Sequence, residues 1–173
     1  GATGFIGRHV VAELARHDVD RVAIVRRKAK SPPALSNTEL AELDVAAPPE
    51  RLFERLGAPD VLIHLAWGGL SDYAALRHIA QELPAQYRFL SELLRSGLPA
   101  LVVAGSCFEY GLQYGPLHEA MVTEPTNAYG LAKDTLRREL ELLRTQHPYA
   151  LTWARIFYTY GEGQSEKSLF TQL

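Results

Sequence analysis

One cysteine, Cys107, and one methionine occur in this chain of 173 residues. A single thiol excludes an internal disulfide framework and fits a reducing, cytoplasmic compartment. Lysine is scarce as well, confined to Lys28, Lys30, Lys133 and Lys167. Neither sign of charge dominates, since 18 Lys+Arg against 20 Asp+Glu leave a formal net charge of −2. Without a basic surplus to neutralise a phosphate backbone, nucleic acid is excluded as the main partner. No apolar run approaches the roughly 20 residues of a membrane span, and Val61–Leu70 is only a little longer than a strand. No signal peptide is visible. Metal-ligand spacing is missing around His64 and Cys107, so no metal is expected, and no Ser–His–acid order supports a hydrolase.

The remaining composition, 47% hydrophobic and 22% charged, is that of a globular domain. Residues 1–173 read as one dinucleotide-binding domain, truncated at both ends. A glycine motif at residue 1 normally follows a buried strand, and Ser168–Leu173 reads as the start of another element. After the glycine turn, Ile6, Val10, Val11 and Leu14 recur at helical spacing to about His17. Strands are expected at Val22–Val25, Leu40–Leu43, Val61–Ala66, Leu101–Gly105 and Leu151–Phe157. Ser31–Ser36 reads as a loop. Pro48 and Pro49 suit a helix start. A long helical stretch over Asp72–Ser96 is kinked or split at Pro84 and ended by Gly97. Ser106–Thr126 is a long loop of the kind that carries function. A helix then runs from about Asn127 to Gln146, with Leu136, Leu140 and Leu143 on its buried side. Alternating strands and helices imply an α/β fold with a mostly parallel sheet and right-handed crossovers.

Four places carry chemistry. Gly1-Ala2-Thr3-Gly4-Phe5-Ile6-Gly7 opens a helix whose N-terminal N–H groups and dipole suit a pyrophosphate, although an ordinary glycine turn has the same composition. Gly7 would allow close packing of that helix on a sheet. Arg26 follows a strand at the point where an acid would contact a ribose 2′-OH and an arginine a 2′-phosphate, which favours NADP over NAD. Tyr129 and Lys133 share a helix face, and a nearby ammonium would lower the phenol pKa and suit it to proton transfer. Ser106 ends a strand, where open α/β sheets bind ligands. His64 reads as a satisfied core histidine, and Cys107 as a small buried residue rather than a nucleophile.

In this order, these residues resemble the extended short-chain dehydrogenase/reductase family, also called the NAD-dependent epimerase/dehydratase family. The resemblance covers nearly the whole chain. It rests on Gly1–Gly7, on Asp44-Val45, on Pro59-Asp60 with His64-Leu65-Ala66, and on Ser106 four residues before Tyr110-Gly111. It rests also on Pro125 through Lys133 and on Arg155-Ile156-Phe157 with Tyr160-Gly161. It implies a Rossmann-like, doubly wound sheet with helices on both faces, a nicotinamide cofactor and a nucleotide-linked sugar as substrate. Tyr129 would be the general acid/base, Lys133 would tune it and hold the nicotinamide ribose, and Ser106 would orient the substrate oxygen. Gly1, Gly4, Phe5, Ile6, Gly7, Arg26, Asp44, Val45, Leu65, Ala66 and Tyr158 would line the cofactor with Tyr129 and Lys133. The resemblance also implies a possible homodimer through the Tyr129–Lys133 helix. Family dehydratases carry Asp-Glu directly after the catalytic hydroxyl residue. Cys107 and Phe108 stand there instead, which favours a reductase or an epimerase. Many members also have Asn where Glu82 and Tyr158 stand. A different class of function, a non-catalytic dinucleotide sensor or scaffold, is the alternative, and intact Ser106, Tyr129 and Lys133 argue against it.

Overall fold

The computed structural model describes residues 1–26 and 38–164. The loop expected at Ser31–Ser36 and the element expected at Ser168–Leu173 lie outside those residues. The chain forms two compact units, residues 1–44 with 158–173 and residues 45–157.

In the first unit, helix α1 (Phe5–Leu14) is followed by strands β1 (Val22–Val25) and β2 (Glu39–Glu42), which pair in parallel. Strand β2 begins and ends one residue earlier than its apolar pattern predicts. The core is small: Val11 of α1 meets Ala23 and Val25 of β1, with Ala2 and Leu40 against them. The alternation of β1, with Ala23 and Val25 buried and Val22 exposed, shows one apolar face.

The second unit carries β3 (Val61–His64), β4 (Ala100–Ser106) and β5 (Ala150–Ile156) as one parallel sheet in the order β3-β4-β5. Strand β3 stops at His64, so Leu65 and Ala66 lie beyond it. Helices α2 (Leu52–Arg55), α3 (Leu83–Arg95) and α4 (Ala128–Leu143) complete the unit. The first of these is one turn long and starts after Pro48 and Pro49, because Arg51 before it takes left-handed backbone. The stretch predicted as helix from Asp72 is irregular up to a π-helical turn over His78–Glu82. Regular α-helix begins only at Leu83, with Pro84 in its first turn, where a missing N–H costs nothing. Gly97, at φ 104°, ends α3 in backbone that glycine adopts without strain.

Leu90, Leu93, Leu101, Val103, Leu136 and Leu140 are fully buried and form the centre of this unit. The 3.6-residue period puts Leu136, Leu140 and Leu143 on one face of α4, as the sequence predicts. Leu136→Ala should cost ~2–5 kcal/mol, because a close-packed core collapses only partly around the lost side chain. Denaturant unfolding checks this, and a loss under ~1 kcal/mol would mean the site is loosely packed.

Candidate active site

Ser106 is the last residue of β4, where the strand gives way to a 3₁₀ turn over Cys107–Glu109. Its backbone is extended, and its Oγ accepts from the Phe108 N–H at 3.3 Å. The Glu109 carboxylate accepts in return from the Ser106 N–H at 2.7 Å, closing a capping box. The long loop predicted after the strand therefore opens with a fixed turn.

Helix α4 presents Tyr129 and Lys133 one turn apart, both buried, at 9% and 3% exposure. Asn127 caps the helix by accepting from the Gly130 N–H at 2.8 Å. The Tyr129 N–H, another of the first-turn donors, goes to the Tyr73 carbonyl at 3.0 Å. Gly130 is where α4 meets the turn after Ser106: a Cβ there would stand 2.6 Å from the Phe108 oxygen. Glycine at this point brings Tyr129 beside the turn that Ser106 opens, close enough for the Ser106 hydroxyl to act on the phenol's proton affinity. The structure thus brings Ser106, Tyr129 and Lys133 together in one unit.

Aromatic rings enclose the phenol. Trp67, Tyr73, His78 and Phe108 stand with centroids 5.9, 5.2, 5.3 and 6.2 Å from that of Tyr129. His78 is fixed in one tautomer. Its Nδ1 accepts from Trp67 Nε1 at 3.1 Å, so Nε2 donates to the Asp72 carbonyl at 2.9 Å. Lys133 Nζ donates to the Ala104 carbonyl at 2.8 Å and lies 4.1 Å from the Trp67 ring centroid.

Electrostatics correct one expectation. The Lys133 ammonium does not depress the phenol: burial pushes Tyr129 up to about 12, and the nearby Ser106 hydroxyl only partly offsets it. Burial also lowers Lys133 to about 7, against the pull of Glu109 and Glu82. At neutral pH the phenol is therefore protonated. His64 is a satisfied core residue, as expected. Its ring nitrogen lies 2.8 Å from Gln86 Oε1, and burial lowers it to about 3. Burial raises the half-buried Cys107 thiol, which makes it a poorer nucleophile. Among the described residues no group of His, Cys, Asp and Glu could hold a metal ion, and no helix is long and apolar enough to cross a membrane.

The other predicted cofactor residues fall in both units. Gly1, Gly4, Phe5, Ile6, Gly7, Arg26, Asp44 and Tyr158 belong to the first; Val45, Leu65 and Ala66 belong to the second. Gly4 caps α1 with no side chain in the way, and the first-turn N–H groups of a helix have no partner within it. A Cβ on Gly7 would stand 2.8 Å from the Gly1 carbonyl carbon and 2.9 Å from that of Ala2. Gly7 thus serves close packing of the turn on itself, where the sequence suggests packing on a sheet. A bare, glycine-built helix N-terminus fits a dinucleotide pyrophosphate. Arg26 is exposed after β1, and Tyr158 is 81% exposed.

Sequence reasoning passes over Glu109, Trp67, Tyr73 and Gly130. Only Glu109 has a local signal, the Ser-x-x-Glu spacing of a capping box. Glu82 accepts from the Gly68 N–H at 3.1 Å and from Arg77 at 2.8 Å.

A model of the NAD dependent epimerase/dehydratase family matches residues 1–173. The chain belongs to that family. Within the epimerase/dehydratase family it is 30% identical, over 175 residues, to the dTDP-6-deoxy-L-talose 4-dehydrogenase (NAD(+)) of Aggregatibacter actinomycetemcomitans, matching 100% of this chain and 64% of that protein. Among solved structures, MoeE5 in complex with UDP-glucose and NAD is 27% identical at a TM-score of 0.80, covering 100% of this chain and 57% of that one. UDP-glucose 4-epimerase of Thermotoga maritima with UDP-glucose has the same TM-score at 21% identity, over 97% of this chain and 57% of that one. These likenesses establish a Rossmann-like fold. The chain spans less than two thirds of the length of the relatives it matches.

Proposed function

We propose that this chain supplies the dinucleotide-binding and proton-transfer parts of an NAD(P)-dependent oxidoreductase or epimerase acting on a nucleotide-linked sugar. The observation that carries this reading is the seating of α4 on the end of β4: Lys133 Nζ reaches the Ala104 carbonyl at 2.8 Å, and Gly130 brings the buried Tyr129 beside the turn that Ser106 opens. A dinucleotide sensor would need the glycine turn but not a buried phenol beside a strand-end hydroxyl.

A nicotinamide cofactor, held at the Gly1–Gly7 turn, would supply the hydride for reduction of a sugar carbonyl. Tyr129 gives its proton to the carbonyl oxygen as charge develops there, and the Ser106 hydroxyl hydrogen-bonds the same oxygen. The phenol's high pKa suits it to donate. Lys133 is within reach of the ring, at 5.9 Å from Nζ to centroid, and would stabilise the phenolate left behind. In the oxidising direction the same two groups take the proton back, and an epimerase would use both directions in turn. The rings of Trp67, Tyr73 and Phe108 limit water around the phenol.

The names of the relatives support NAD, whereas exposed Arg26 beyond β1 suits the 2′-phosphate of NADP. Pairing of two copies through α4 is the accompanying oligomeric proposal. The test is a fluorescence titration of the full-length protein with NADH and with NADPH. Turnover assays with dTDP-6-deoxy-L-talose, UDP-glucose and UDP-glucuronic acid follow. Tighter binding of NADPH that Arg26→Ala weakens by ~10-fold or more would establish the 2′-phosphate role. Equal loss for NADH and NADPH would remove it, and binding of neither would reduce the reading to the fold.

A further inference from the structure

We infer that Glu109 is a positioning residue for the Ser106 hydroxyl, clamping the end of β4 to β5. The inference rests on the role proposed for Ser106. Glu109 is 0% exposed, and its carboxylate is held from three sides. Oε1 accepts from the Ser106 N–H at 2.7 Å, and Oε2 accepts from Arg155 Nε at 2.7 Å. Trp153 Nε1 donates between them, at 3.0 and 2.9 Å. Trp153 and Arg155 are two apart on β5 and so project from the same face of the strand.

Two features separate this arrangement from ordinary structural support. The first is its cost. A buried ion pair often stabilises a fold no more than apolar residues of the same volume. The chain nevertheless accommodates one, and leaves Gly105 bare for it. A Cβ on Gly105 would stand 2.7 Å from Glu109 Oε1. The second is the element it caps. A capping box normally starts a helix, yet here the turn is three residues long. What the box fixes is Ser106 itself. Its N–H is taken by Glu109, and one lone pair of Oγ is taken by Phe108 N–H. Beyond that contact the Oγ keeps its hydrogen and a second lone pair. Arg155 is tied down in turn by the Tyr110 hydroxyl at 3.3 Å and the Glu119 carbonyl at 3.1 Å. The clamp therefore also fixes the loop that follows.

A double-mutant cycle on the full-length protein tests this, with dTDP-6-deoxy-L-talose and NAD+ as the probe pair. Glu109→Gln keeps the shape and the acceptor for Ser106 but turns an amide toward Arg155. It should lower kcat by ~10-fold or more while KM stays within about threefold. In a Ser106→Ala background the same change should cost less than about twofold, because nothing remains to position. Should Glu109→Gln fail to fold, Trp153→Phe removes one donor and leaves the ion pair. It should show a smaller loss of kcat with the same dependence on Ser106. Equal losses in the two backgrounds, or an unchanged kcat, would overturn the inference and leave the role of Ser106 standing. A fully active Ser106→Ala variant, or no turnover by the wild type, would instead overturn the proposed function and this inference with it.

Discussion

Tyr129→Phe is expected to lower turnover by ~10²–10⁴-fold while cofactor affinity changes by less than about threefold. The substitution removes one oxygen and nothing else. The ring contacts with Trp67, Tyr73, His78 and Phe108 survive, so the helix and its aromatic surround stay in place. Losing one buried hydroxyl should cost about 1 kcal/mol of stability, too little to unfold the unit. Any fall in kcat is then chemical. The glycine turn at α1 is untouched, so binding of the dinucleotide should persist. Unchanged turnover would sink the assigned role. A parallel collapse of turnover and of cofactor binding would mean that the phenol supports the site's shape and does not move a proton.

How much of this site could be read in advance depends on how local each determinant is. Ser106 at a strand end and Tyr129 with Lys133 at i, i+4 follow from short-range periodicity, and the structure puts all three in one unit. The buried face of α4 follows from the same rule. Local rules fail where a tertiary partner decides. The carboxylate of Glu109 is satisfied by Trp153 and Arg155, 44 and 46 residues further on, and no window around Ser106 contains them. The irregular course from Asp72 to the π-helical turn is held by contacts of the same kind. They are the Tyr129 N–H on the Tyr73 carbonyl and the Trp67–His78–Asp72 chain. Periodicity saw only helix there. The phenol pKa escapes the sequence for a related reason. Proximity of an ammonium can be read from spacing, but the desolvation of the phenol depends on rings brought in from residues 67–78 and from Phe108.

Lys133 gives the second large effect, on stability rather than rate. Burial holds it at about 7 in the folded chain, against 10.5 for the ordinary side chain. Between those values the unfolded chain binds a proton that the folded chain does not, so stability should rise with pH across that window. Below pH 7 both states are protonated and the full cost of the buried ammonium is present. Each tenfold separation in proton affinity is worth about 1.4 kcal/mol. The cofactor-free protein should therefore gain on the order of a few kcal/mol between pH 7 and 10. His64, at about 3, is neutral throughout that window, whereas Tyr129 and Tyr149, at about 12 against 10 for an ordinary phenol, oppose the rise only at its upper end, where the unfolded phenols begin to ionise. Lys133→Met fills a similar volume without charge and should flatten that rise, its largest gain over the wild type falling near pH 7. Urea midpoints at pH 7, 8, 9 and 10 for both proteins decide it. A wild-type profile as flat as that of the methionine variant would mean that the ammonium keeps its proton in the folded chain. The Ala104 carbonyl and the Trp67 ring, 2.8 Å and 4.1 Å from Nζ, would then compensate its burial in full. In that case Lys133 would stand beside Tyr129 as a permanent cation, ready to stabilise the phenolate without gaining a proton first.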